Sequence, residues 1–197
     1  MYNTYKEADI FIDGAAKGNP GPAGAGVYIT VSKDKKQPYQ KPPTILKKSF
    51  NLGNQTNNMA EYMALFQAVR LAKKLDIKNI HIYSDSQLVV NQINGKFVVR
   101  DIKLQKIKAI IDEYLKTFKS FDMTYIPRDQ NREADILANI GVKQSNETFM
   151  DVEDLTKSKL ELETQLIKNP DDVKIKNNLN LNNRQLNEIL NDYEFDI

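Results

Sequence analysis

Residues 9 to 31 constrain this chain more than any other stretch. Two β-branched and aromatic runs, around Asp9-Ile-Phe-Ile and Val27-Tyr-Ile-Thr-Val31, flank Asp13-Gly-Ala-Ala-Lys-Gly-Asn-Pro-Gly-Pro-Ala-Gly-Ala-Gly26. Such runs read as strands, here residues 8–13 and 24–31, and the turn residues between them as a hairpin. Five of the chain's eight glycines (14, 18, 21, 24 and 26) fall in this window. Glycine at that density permits close approach of backbone to backbone, or of backbone to a ligand, and the second option puts the turn against a bound partner. The first strand ends on a lone carboxylate, Asp13. The rest of the chain has to supply whatever that acid faces.

The stretch 32–43 holds three prolines and four lysines and reads as an exposed loop. A third strand over Thr44–Leu52 closes an antiparallel meander. Gly53-Asn-Gln-Thr-Asn-Asn58 reads as a capping cluster, and Met59 to Leu75 as the most buried helix, with Glu61 heading its apolar stripe. Lys78 to Ser84 is a strand ending at Asp85, and a helix between strands is the crossover that makes them parallel. A short helix over 86–93 is broken at Asn94-Gly95, and a longer one runs from Asp101 to Lys119. A fifth strand spans 121–126, and a last helix runs over 129–140 and stops at Gly141.

Beyond Gly141 the composition turns to Asn, Asp, Leu and Lys, which marks a boundary: a body over 1–144 and an acidic extension over 145–197. Leu155, Leu160, Leu162 and Leu166, the start signal Asn169-Pro170-Asp171-Asp172, and Leu181, Leu186, Ile189 and Leu190 predict two or three short amphipathic helices there, with a disordered linker as the competing reading. The formal charge is +7 over residues 1–150 and −5 over 151–197, which together make the chain's +2. A basic body suits a polyanionic partner, although surface lysine is also simply solubilising. Absence of cysteine excludes disulfide frameworks and thiolate metal sites. Met1 to Lys6 lacks the apolar core of a signal peptide, and no apolar run approaches the ~18 residues that span a bilayer. A cytoplasmic location without membrane contact is the expectation.

This order of elements brings four acids towards one sheet edge: Asp13 and Asp85 from neighbouring strand ends, Glu61 from the first helix and Asp135 from the last. Singly, each has a bland reading: Asp13-Gly14 as a turn, Glu61 closing a capping box begun by Asn58, Asp85 as a cap and Asp135 as a solvated helix residue. Together they would repel unless cations sit among them. Oxygen-only donors favour Mg²⁺ or Mn²⁺, and two such ions about 4 Å apart form a clamp for phosphodiester displacement.

The segments 13–26, Thr56-Asn-Asn-Met-Ala-Glu61, Ser84-Asp-Ser-Gln87 and Pro127-Arg-Asp-Gln-Asn-Arg-Glu-Ala-Asp135 resemble, in order, the motifs of type 1 ribonuclease H, a likeness that covers about residues 8–142. The resemblance implies an α/β ribonuclease H-like fold, a five-stranded mixed sheet flanked by helices, with a helical C-terminal appendage. It implies endonucleolytic cleavage of the RNA strand of RNA–DNA hybrids by two Mg²⁺ ions, Mn²⁺ substituting, with 5′-phosphate and 3′-hydroxyl ends. Carried over by position, Asp13 would bridge both ions, Asp135 would complete the water-activating site, and Glu61 and Asp85 the second. Asn19, Asn57, Asn58 and Gln87 would face the hybrid's minor groove, where amides can read a 2′-hydroxyl, and Thr56 would contact a DNA-strand phosphate.

Two departures stand out. The loop before the last helix has none of the family's histidine, and the lone His81 lies four residues before Asp85, where a packed strand histidine is the expectation. The basic, tryptophan-bearing protrusion is also missing, since Ile93 to Arg100 passes directly to the next helix and the chain has no Trp. Lys96, Arg100, Lys103 and Lys106 are the candidates to replace its charge. A P-loop is rejected because no Gly-Lys-Ser/Thr follows the glycines, and a proofreading exonuclease because Ala15 stands where a second acid is wanted. The reading from another class is a non-catalytic hybrid-binding module whose acidic extension recruits a partner protein.

Overall fold

The computed structural model describes residues 7–32 and 43–191, with side chains except at 145–156, 167 and 184–191. The opening six residues and most of the loop expected over 32–43 fall outside the described residues, as do the side chains of Leu155, Leu186, Ile189 and Leu190. The chain divides into two compact units, Met1–Gln144 and Ser145–Ile197.

In the first unit β1 (Glu7–Ala16), β2 (Gly21–Val31) and β3 (Thr44–Gln55) form an antiparallel meander, while β4 (Asn79–Ser84) and β5 (Ser120–Tyr125) add in parallel, in the order β3-β2-β1-β4-β5. Short turns suffice for the meander. The parallel pairs need crossovers, supplied by α1 (Asn57–Lys74) and by α2 (Gln87–Ile93) with α3 (Ile102–Leu115). The expected five-stranded mixed sheet is the one observed.

Strand alternation sorts β1 into two faces. Ala8, Ile10 and Ile12 are fully buried with Ile80 and Ile82 of β4, Met123 of β5 and the Ala60, Ala64, Leu65, Ala68 face of α1. Asp9, Phe11 and Asp13 point to the other face. β1 does not stop at Asp13 as expected but continues to Ala16, because Gly14, Ala15 and Ala16 keep pairing with β2. Its pairing with β4 does stop there, at Ile12 opposite Ser84. Likewise Gly53 to Gln55 belong to β3 rather than to a cap. Thr56 is the residue that caps α1, accepting from the Met59 N–H, so no capping box starts at Asn58.

The largest departure is the last helix of the body. α4 runs from Arg132 to Lys168, straight through Gly141. A Cβ at Gly141 would sit 2.2 Å from the Phe50 carbonyl oxygen, so this glycine lets a helix lie against β3 and does not end it. In the second unit the rest of α4 and α5 (Val173–Asn191) are two helices, as many as the lower number expected but longer than short ones. Asp172 starts α5 by accepting from the Lys174 and Ile175 N–H groups. Among the described residues no helix is long and apolar enough to cross a membrane.

Candidate active site

Asp13 is 5% exposed, opposite Gly26 of β2. The glycines around it decide what approaches. A Cβ on Gly14 would lie 2.2 Å from the backbone of Ala60 and Glu61, so α1 comes in on one side. A Cβ on Gly26 would lie 2.2 Å from the Ala134 carbonyl oxygen, and one on Gly24 2.3 Å from the Val142 nitrogen, so α4 comes in on the other. The glycines at 14, 24 and 26 therefore admit two helices to the strand, the backbone-to-backbone option of the two. Each helix delivers an acid.

Glu61 Oε2 accepts from the Gly14 N–H at 3.2 Å. Asp85 follows the last residue of β4, and its Oδ1 accepts from Asn131 Nδ2 at 2.7 Å. The same nitrogen donates to the Ile12 carbonyl at 2.8 Å. Asp135, on the first turn of α4, accepts from Arg128 Nη2 at 2.5 Å. Four elements thus present their acids around residues 12–14 of β1.

Burial pushes the Asp13 carboxyl up to about 7, and the charges of Asp85 and Asp135 push the same way against Arg128 and the Gly14 N–H. Glu61 is raised well above its ordinary value, again by burial first and then by Asp13 and Asp85. Arg128 is held charged by its hydrogen bond to Asp135. Among the described residues no three acids stand close enough, as placed, to hold a cation: Asp135 is turned to Arg128, Asp85 to Asn131 and Glu61 to Gly14. The chemistry of the set nevertheless fits a hard divalent cation, because it offers only oxygen donors, and at Asp13 and Glu61 burial and the neighbouring acids outweigh the one opposing charge, Arg128.

Beside the turn, a groove of about 940 Å³ is lined by Asn19, Thr56, Asn58, Arg100 and Lys103 among others. Asn57 joins through its N–H, which donates to Asn19 Oδ1 at 3.1 Å and ties the β1–β2 turn to the start of α1. Gln87 is exposed on the first turn of α2, two residues beyond Asp85, and does not line this groove. Of the four cations named as replacements for the missing protrusion, Arg100 and Lys103 line it and Lys96 and Lys106 do not.

Sequence reasoning missed Arg128 and Asn131. Asn131 had one local signal, its place four residues before Asp135 at a helix start, and that signal points to capping alone. His81 is not a packed histidine. It bridges Asp122 through Nδ1 at 2.5 Å and Glu7 through Nε2 at 2.7 Å, joining β5, β4 and β1. Burial pulls its pKa down, and the hydrogen bonds to Glu7 and Asp122 outweigh that and raise it.

The sequence pattern of the reverse transcriptase-like family matches residues 11–141. Ribonuclease HI of Halobacterium salinarum is 37% identical over 129 residues, 66% of this chain and 61% of that protein, so the chain spans less than two thirds of the relative's length. The crystal structure of RNase H1 from the same archaeon superposes with a TM-score of 0.64 at 31% identity, covering 70% of this chain and 98% of that one. The structure of LC11-RNase H1 in complex with an RNA/DNA hybrid superposes with a TM-score of 0.60 at 34% identity, over 70% and 98%.

Proposed function

The chain belongs to the type 1 ribonuclease H group of the reverse transcriptase-like family, and from that membership we propose that it is an endoribonuclease that hydrolyses the RNA strand of RNA–DNA hybrids. The observation that carries the reading is the set of four carboxylates drawn from β1, α1, the end of β4 and α4 around residues 12–14. The hybrid bound to LC11-RNase H1 supports the substrate class.

Asp13, Glu61, Asp85 and Asp135 are the residues that would hold two Mg²⁺ ions, Mn²⁺ substituting. Such ions supply an activated water and charge stabilisation on the leaving oxygen. The water oxygen bonds to phosphorus as the bond to the 3′-oxygen breaks, and that oxygen takes up a proton, which leaves 5′-phosphate and 3′-hydroxyl ends. Thr56 Oγ1 accepts from the Met59 N–H, so its own proton remains to be donated to a phosphate. The amides of Asn19, Asn57, Asn58 and Gln87 can both donate to and accept from a 2′-hydroxyl. Arg128 offsets the repulsion among the acids from a loop that has no histidine.

The test is a labelled RNA–DNA hybrid incubated with Mg²⁺ beside Asp13→Asn. Loss of a metal-holding carboxylate would forfeit several kcal/mol of transition-state stabilisation, so cleavage should fall by ~10³-fold or more while hybrid binding persists. Wild-type protein that binds the hybrid and cleaves nothing in Mg²⁺ or Mn²⁺ would leave the non-catalytic binding module in its place.

A further inference from the structure

We propose that Asn131 is a positioning residue that sets the spacing of the acids, a role that rests on the metal-site reading above. Asn131 stands immediately before α4 and is 1% exposed. Its own carbonyl accepts the Asp135 N–H at 3.1 Å, which starts the helix. An asparagine in that place ordinarily turns its side-chain oxygen to the first N–H groups of the helix. Here Oδ1 is buried without a partner, and the amide nitrogen is sent into the sheet instead. Forgoing the cap leaves a polar atom unsatisfied, a feature that calls for a compensating role.

What the amide gains is a link between two strands at the point where their ladder ends. Ile12 opposite Ser84 is the last pair of β1 with β4. Both hydrogen bonds leave from one nitrogen, to the Ile12 carbonyl and to Asp85 Oδ1, so both amide protons are used. The reverse amide orientation would set Oδ1 against a carbonyl and a carboxylate, which excludes it. One side chain therefore fixes the backbone next to Asp13 and one oxygen of Asp85, while its main chain fixes the turn that bears Asp135. The second Asp85 oxygen is left as the one not taken by Asn131. Groups that orient metal-binding carboxylates in this way contribute to affinity although they never touch the ion.

The experiment uses the full chain with Asn131→Ala and Asn131→Asp. Aspartate keeps the shape and lacks both donors. Three quantities are measured: thermal unfolding without metal, Mn²⁺ binding by calorimetry, and kcat and KM on a hybrid at saturating Mg²⁺. Mn²⁺ affinity and kcat should each fall by about 10–100-fold in both variants, with KM within about twofold, because the proposed hybrid-binding residues are elsewhere. A purely structural residue would lower the unfolding temperature and leave the Mn²⁺ affinity of the folded fraction unchanged. Either variant folded, with Mn²⁺ affinity and kcat within about twofold of wild type, overturns the proposal. Wild-type protein that neither binds Mn²⁺ nor cleaves overturns the underlying site reading, which is a different result.

Discussion

Burial raises the Asp13 carboxyl from an ordinary 3.8 to about 7, ahead of the repulsion from Asp85 and Asp135, and that shift has a stability consequence of definite sign. Asp13 and Glu61 hold their protons more tightly in the folded chain than in the unfolded one. Stability therefore falls as pH rises from the ordinary carboxylate range through 7. A shift of about three pKa units corresponds to ~4 kcal/mol at most. His81 acts in the same direction, since its raised pKa contributes stability below its ordinary 6.5 that is lost as pH rises through the folded value. Metal-free protein should accordingly unfold at a lower temperature at pH 8.5 than at pH 5.5. Asp13→Asn should flatten that slope and raise the unfolding temperature at the upper pH. An unchanged slope in this variant would show that Asp13 does not carry the strain. Added Mg²⁺ should reduce the difference by favouring the ionised acids.

At the scale of elements, α4 is placed by contacts that its own sequence does not announce. Gly26 and Gly141 admit its backbone to β2 and β3, Ser49 Oγ donates to the Leu137 carbonyl at 2.7 Å, and Lys47 pairs with Glu133 at 2.6 Å. Two opposed effects meet at Gly141. Alanine is favoured over glycine inside a helix by about 1 kcal/mol, but its Cβ would be 2.2 Å from the Phe50 oxygen. Overpacking of that kind costs ~1–3 kcal/mol, and backbone cannot move aside as a flexible side chain can. Gly141→Ala should therefore destabilise the protein in urea unfolding, against the helix-propensity expectation. A stabilised variant would mean that the backbone contact is slack. Gly26→Ala should do the same and also lower kcat, because it moves the turn that carries Asp135.

For the whole molecule the decisive quantity is the split of charge, +7 over residues 1–150 against −5 over 151–197. If the acidic unit competes with nucleic acid for the basic one, deleting residues 146–197 should tighten hybrid binding several-fold at low salt and much less at high salt, where such fields are screened. Equal affinity of the full and shortened chains at low salt would count against that competition. The body's elements were legible because strand alternation, helical spacing and turn residues are local signals. The four acids were singled out because their segments resemble known motifs in order. The length of α4 was not, since Gly141 carries the same local signal whether it ends a helix or admits a neighbouring strand. Nor were the roles of Arg128 and Asn131. The bond that defines Asn131 runs to a carbonyl 119 residues away, and its direction depends on where β1 and β4 part. The amino-acid sequence by itself determined which elements form and which acids they carry. Only the tertiary structure decided what the glycines face and which side chains hold the acids, because both depend on contacts between segments far apart in the chain.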